Sequence, residues 1–173
     1  RLTDQKNPLL LLNVFSEFLK ENKEAHLLIV GDGELREEIN HFIIRRGIED
    51  NVHLLGVRSD IPQLLKSADL YILPSNYETL PIGLIEAVAS GIPIIATNVR
   101  GNLEVVENES LCWLFEPGDA KRLLDLIKLV HKKKQTGELS RRILSNQFRE
   151  KFDIKNNILK HERLYISLAH YDR

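Results

Sequence analysis

Residues 69–97 read DLYILPSNYETLPIGLIEAVASGIPIIAT, and the order of patterns inside this stretch decides the fold. DLYILPS (69–75) is an apolar run of strand length, LPIGLIEAVASG (80–91) is a helical run closed by glycine, and IPIIAT (92–97) is a second buried-looking strand. A strand, a crossover helix and another strand make one unit of a parallel sheet.

The same alternation extends outward in both directions. Towards the N-terminus, NPLLLLNVFSEFLKEN predicts a helix over 8–22, with Asn7 as N-cap and Pro8 at the first helical position, where no amide hydrogen is missed. AHLLIV (25–30) follows as a strand, GDG (31–33) as a turn, and ELREEINHFIIRRG as a helix with an acidic start and a basic, glycine-terminated end. NVHLLG (51–56) is a further strand and SDIPQLLKSA (59–68) a short helix. Towards the C-terminus come a helical segment near NLEVVEN and a strand in LCWLFE. From Gly118 only helices are expected: 119–134 capped by Asp119, 139–152 after the break at Gly137, and 153–170 capped by Asp153. The expected class is α/β, in three layers, with a mostly parallel Rossmann-like sheet of about five strands. RLTDQKNP leaves no room for a strand before the first helix, which is the start expected of a piece cut from a longer chain.

A chain of 173 residues with 43% hydrophobic content can bury one core without metals or disulfides, so a single domain is expected over 1–173. Its 24 Lys plus Arg balance 25 Asp plus Glu, and this balance gives no global pull toward nucleic acid or an anionic membrane. The basic run Lys132–Lys133–Lys134, with Arg141 and Arg142, lacks interleaved aromatics and reads as the solvated face of helices. The single cysteine, Cys112, excludes a disulfide framework and reads as a small buried thiol. No apolar run approaches the roughly 20 residues needed to cross a bilayer, so the expected location is cytoplasmic.

Chemistry concentrates in the loop between strand 69–75 and helix 80–91. In open α/β sheets ligands sit beyond the carboxyl ends of the strands, where crossover helices begin. Amides of about Leu80 to Leu84, Ile82 among them, lack intrahelical acceptors there and, with the helix dipole, favour an anion; Pro81 has no amide to offer. Glu78 lies in the loop and Glu86 on the second helical turn. Ionised carboxylates only accept hydrogen bonds, so the pair suits sugar or ribose hydroxyls beside a phosphate. The same two residues also read as solvent-facing charge. Gly31, at another strand's carboxyl end, is a turn residue in a position that permits substrate contact, although GDG lacks the remainder of a dinucleotide or phosphate-loop fingerprint. The six histidines are scattered over different elements and read as structural or surface residues, and no compact His/Asp/Cys set suggests a metal.

The segment SNYETLPIGLIEAVASGIPIIATNVRG resembles the signature region of the retaining glycosyltransferases of family 4, in the C-terminal, donor-binding half of their two-domain GT-B fold. LLIVGDGELREEI, RLTDQKNP and FDIKNNILKHERLY extend the resemblance over nearly the whole chain. It implies a hexosyltransferase using a nucleotide-diphosphate sugar, with UDP favoured, in polysaccharide or glycoconjugate synthesis, without a metal cofactor. Glu78 would face the donor sugar, Glu86 the ribose, and Arg1 and Lys6 the pyrophosphate, with Thr79 and Leu80 in the stretch nearest sugar and phosphate. Many family members have glycine where Thr79 stands, so a changed loop shape is expected. The implied partners are the nucleotide sugar, a carbohydrate or lipid-linked acceptor and an N-terminal domain, with peripheral association at the inner membrane face and no nucleic acid. The isolated piece is expected to be inactive. The competing reading from the residues alone is a non-catalytic domain that binds a nucleotide or phosphorylated metabolite.

Overall fold

The computed structural model describes residues 1–106 and 111–139. Along them run α1 (Pro8–Phe18), β1 (Leu27–Val30), α2 (Arg36–Arg46), β2 (Val52–Gly56), α3 (Ile61–Ser67) and β3 (Tyr71–Leu73). These are followed by α4 (Ile82–Ser90), β4 (Ile94–Thr97), α5 (Arg100–Val106), β5 (Cys112–Phe115) and α6 (Ala120–Gln135). The expected alternation is observed. Strand pairing is parallel throughout, in three ladders, β1 beside β2 in one group and β4 between β3 and β5 in the other.

Burial along β4 explains the layers. Ile94 and Ala96 pack with Leu65, Leu73, Leu84 and Val88 under α3, α4 and α5, while Ile95 between them packs with Leu12, Phe15, Ile39 and Leu123 under α1, α2 and α6. Side chains alternate across a strand, so a strand covered on both faces must be apolar along its length, as IPIIA is before the buried Thr97 that closes it. Each fully buried leucine or isoleucine in these clusters stabilises the fold by roughly 1.5–3 kcal/mol relative to leaving it exposed. In α6, Leu123, Leu126, Ile127 and Val130 form one buried stripe at helical spacing, and Asp119 caps the helix by accepting from the Arg122 amide at 2.9 Å.

Several boundaries differ from the sequence reading. Helix α1 stops at Phe18 instead of residue 22, because the Asn22 side chain donates to the Phe18 carbonyl at 3.1 Å and the next amides turn back three residues. Asn7 does not cap α1 with its side chain; it adopts a left-handed conformation (φ 48°) and its amide group points to Asn76. Strand β3 is limited to three residues, since Pro74 has no N–H for a ladder. Cys112 is half-buried at the edge of the second cluster. The Lys133 and Lys134 ammonium groups pair with Glu138 and Asp69, as a solvated face should. The helices expected over 139–152 and 153–170, with Asp153 and with Arg141 and Arg142, lie outside the described residues apart from Leu139. Among the described residues no helix is long and apolar enough to cross a membrane.

Candidate active site

The site begins where the N-terminal segment crosses the turn after β1. Leu2 is buried, its amide donates to the Asp32 carbonyl at 2.9 Å, and its own carbonyl accepts from the Leu35 amide at 3.1 Å. This crossing needs glycine: Gly31 has φ +125°, and a Cβ on Gly33 would lie 2.4 Å from the Leu2 carbonyl oxygen. Arg1 is thereby held beside Gly31, 3.5 Å from where a Cβ on that glycine would stand.

A single 3-10 turn, Asp4–Lys6, then carries the chain onto the loop after β3. The Asn76 amide donates to the Gln5 carbonyl (2.8 Å) and its side chain to the Asp4 carbonyl (2.8 Å), while the Gln5 side chain donates to the Tyr77 carbonyl (3.0 Å). Lys6 Nζ donates to Glu78 Oε1 at 2.5 Å, and Ser75 Oγ donates to the same oxygen at 2.7 Å. The Glu78 side chain is only 4% exposed, against 28% for Lys6. Beneath it lie Ser75, Thr97 and Asn102, all fully buried. A buried carboxylate survives only with such partners.

Helix α4 supplies the other wall. The Leu84 and Ile85 amides both donate to the Pro81 carbonyl, which leaves the Ile82 and Gly83 amides of the first turn of α4 without an acceptor inside the helix. The sequence reading extended this set to Leu84, which is already bonded. Leu80 and Ile82 are more than half exposed, and Thr79 is exposed as well. Thr79 has no positive φ, so the glycine-like loop shape it put in question is not required in this conformation. Glu86, the fifth residue of α4, is half-buried and carries no hydrogen bond or ion pair among the described residues. Tyr71 on β3 faces Gly83, where a Cβ would meet its hydroxyl at 2.8 Å. Burial, then the charges of Glu78 and Glu86, push the Tyr71 phenol well above its usual range, so it stays neutral between the two carboxylates.

The structure thus brings Arg1, Lys6, Glu78 and Gly31 to one end of the parallel strands, with Glu86, Ile82 and the α4 amides beside them. Sequence reasoning missed Gln5, Ser75, Asn76, Thr97, Gly101 and Asn102. The available signal was a polar residue closing each apolar strand, Ser75 after ILP and Thr97 after IIA. His26 and His53 stack at the opposite, amino ends of β1 and β2 with ring nitrogens 3.1 Å apart, and His131 meets Phe18 edge-on. Among the described residues no group of three or more His, Cys, Asp or Glu could hold a metal ion.

Residues 1–151 match the family model described as Glycosyl transferases group 1. The chain belongs to that family. Among curated group 1 relatives, UDP-Gal:alpha-D-GlcNAc-diphosphoundecaprenol alpha-1,3-galactosyltransferase of Escherichia coli is 32% identical over 98% of this chain and 44% of its own length. N-acetyl-alpha-D-glucosaminyl L-malate synthase of Bacillus anthracis is 30% identical over 94% of this chain and 42% of its own. The chain therefore spans less than half the length of these relatives. Among solved structures, Anabaena Alr3699/HepE in complex with UDP and glucose superposes with a TM-score of 0.83 at 26% identity, covering 95% of this chain and 46% of that one.

Proposed function

We propose that this group 1 chain is the C-terminal, donor-binding half of a retaining GT-B glycosyltransferase, one domain over 1–173. The protein that carries it would move a hexose from a nucleotide-diphosphate sugar to a carbohydrate or lipid-linked acceptor in building a polysaccharide or other glycoconjugate. The observation that carries this reading is the convergence, at one end of the sheet, of Arg1 beside Gly31, Lys6 on Glu78, the first-turn amides of α4, and Glu86. UDP is the favoured donor nucleotide, supported by the UDP in the HepE complex and the UDP-Gal in the name of the E. coli relative. The proposed location is the cytoplasm, with lipid-linked acceptors met at the inner face of the membrane.

Each group then has a role in departure of the nucleoside diphosphate. Negative charge grows on the terminal phosphate as the glycosidic bond breaks, and Arg1, Lys6 and the Ile82 and Gly83 amides stabilise it more in the transition state than in the ground state. Lys6 has three N–H donors, so it can keep Glu78 and still serve a phosphate oxygen. Glu86, free of protein partners, accepts from the ribose hydroxyls. Glu78, with one oxygen taken by Lys6 and Ser75, offers its remaining lone pairs to the sugar and orients the anomeric carbon. Exposed Tyr77, Leu80 and Ile82 rim this face, where the N-terminal half would hold the acceptor and exclude water.

The test is a panel of UDP-, GDP- and ADP-sugars with candidate acceptors on the full-length protein, reading nucleotide release and the anomeric configuration of the product by NMR. Release with one donor class and a retained anomer is expected. No release across the panel overturns the reaction, and an inverted product overturns the retaining assignment. Turnover by residues 1–173 equal to that of the full-length protein overturns the need for a second half.

A further inference from the structure

Behind Glu78 runs a chain of polar groups that nothing in the donor chemistry accounts for. Thr97, the last residue of β4, donates its hydroxyl to the Ser75 carbonyl at 2.7 Å. Asn102, on α5, donates its side-chain amide to the Thr97 carbonyl at 3.0 Å and to the Thr97 hydroxyl oxygen at 3.1 Å. All three side chains are fully buried, and the Asn102 Oδ1 has no partner among the described residues. An unpaired buried carbonyl oxygen is costly, so the asparagine there is held by what its amide nitrogen does.

The direction of the chain is fixed by valence. The Thr97 carbonyl can only accept, so the Asn102 group facing it must be the NH2 end. The Thr97 hydroxyl has one proton, spent on the Ser75 carbonyl, and therefore meets Asn102 with a lone pair. Ser75, with its backbone clamped this way, spends its own hydroxyl on Glu78 Oε1 at 2.7 Å. Next along α5, Gly101 lies so close to the loop that a Cβ would stand 2.3 Å from the Glu78 carbonyl oxygen and 2.8 Å from that of Thr79. The first turn of α5 thus touches the Glu78 peptide directly and reaches its carboxylate through Thr97 and Ser75.

We infer that Thr97 and Asn102 are positioning residues for Glu78: they fix its carboxylate for recognition of the donor sugar and touch no substrate themselves. The inference rests on the sugar-facing role proposed for Glu78. A chain of buried, mutually polarised bonds resists displacement better than the exposed loop could alone, which is how strand ends can set a loop side chain.

Calorimetry of the full-length protein with UDP and UDP-glucose, and with the GDP and ADP pairs, tests it through a double-mutant cycle. Thr97→Val keeps the shape and removes the hydroxyl. It should weaken sugar-donor binding about tenfold while leaving the bare nucleotide within about twofold, the same pattern as Glu78→Ala. Combining the two should cost no more than Glu78→Ala alone, because both act through one carboxylate, and Thr97→Ser should restore binding. A merely structural role would weaken both ligands alike, add fully to Glu78→Ala, and thereby overturn the inference. Should Thr97→Val not fold, Ser75→Ala breaks the last link of the same chain and must reproduce the pattern. If the wild type binds none of the nucleotides, or Glu78→Ala leaves sugar discrimination intact, the donor reading falls and this inference with it. If Glu78→Ala abolishes discrimination and neither Thr97→Val nor Ser75→Ala affects it, only this inference falls.

Discussion

Two turns leave the carboxyl ends of parallel strands at the same end of this domain, and they are built in opposite ways. The turn after β1, residues 31–33, is three residues long and takes its shape from missing side chains: Gly31 at φ +125° and Gly33 packed on the Leu2 backbone. The turn after β3, residues 74–81, has no positive φ and is held by side chains, with Gln5, Lys6, Ser75 and Asn76 each spending a polar group on it. The first carries a chain crossing, its exposed Asp32 carboxylate being spent on the Gly33 amide and Arg36, and the second carries a buried carboxylate. Position at a strand's carboxyl end marks where a ligand can sit, and the side-chain bonding decides which turn has chemistry to offer.

The largest effects should come from filling the two close backbone approaches. Gly33→Ala drives a methyl onto backbone atoms of Leu2, which cannot swing aside, and should lower unfolding free energy by about 1–3 kcal/mol in denaturant titration. It also shifts Arg1, so nucleotide affinity should fall while preference for the sugar donor persists. Gly101→Ala should cost a similar amount of stability and erase that preference, since its methyl meets the Glu78 and Thr79 carbonyls. If the two variants lost the same ligand property, the division of labour between the turns would be wrong.

Next in size is Glu86→Ala. Removing an unpaired acceptor leaves no protein group stranded, so the fold should keep its stability while affinity for bare nucleoside diphosphate drops roughly ten- to a hundredfold, the worth of about 1.5–3 kcal/mol for a charged hydrogen bond. Calorimetry and a melting curve on one preparation separate the two. An unchanged affinity would return Glu86 to surface charge.

Smaller again is Asn76→Ala. It removes the side-chain bonds to the Asp4 carbonyl and from Asn7, both exposed, but keeps the backbone bond to Gln5. A loss of about 1 kcal/mol of stability is expected, with nucleotide affinity weakened less than by Glu86→Ala. A larger loss of affinity than of stability would show that the 3-10 turn is placed by Asn76 chiefly for the ligand.

The alternation of elements was legible because it rests on local patterns: IPIIA is apolar throughout since β4 is covered on both faces, and Gly47 and Asp119 end and start helices by rules that need only their neighbours. Glu78 and Glu86 were legible from their place at a helix start together with the family resemblance. The clamp between residues 4–7 and 76–78 was not, because its bonds join positions about 70 apart and are made by Asn and Gln side chains that carry no periodicity. Ser75, Thr97 and Asn102 escaped for a related reason. A polar residue closing an apolar strand reads as the start of a loop, and only three-dimensional burial reveals that two such residues, Ser75 and Thr97, stack with Asn102 of α5 behind one carboxylate. Asn7 stands at the N-cap position as expected, but tertiary bonding to Asn76 claims its side chain.

The smallest expected effect bears on the sharpest difference between the two turns. Thr79 stands where many relatives of its resemblance family have glycine, yet it is exposed, and its backbone lies outside the left-handed region that would make glycine necessary. Thr79→Gly should therefore relieve no strain. Glycine has more freedom to lose on folding, so stability should fall by at most about 1 kcal/mol through the unfolded chain. Donor affinity should stay within about threefold, since the Glu78 carboxylate is fixed from below by Ser75 and from the side by Lys6, and neither bond passes through residue 79. The measurement is calorimetry with UDP and a UDP-sugar on wild type and variant. A tenfold gain in sugar-donor affinity would show that ligand binding takes this loop through a conformation threonine resists. The second turn would then depend on backbone freedom as the first does, and the contrast between them would hold only for the unliganded protein.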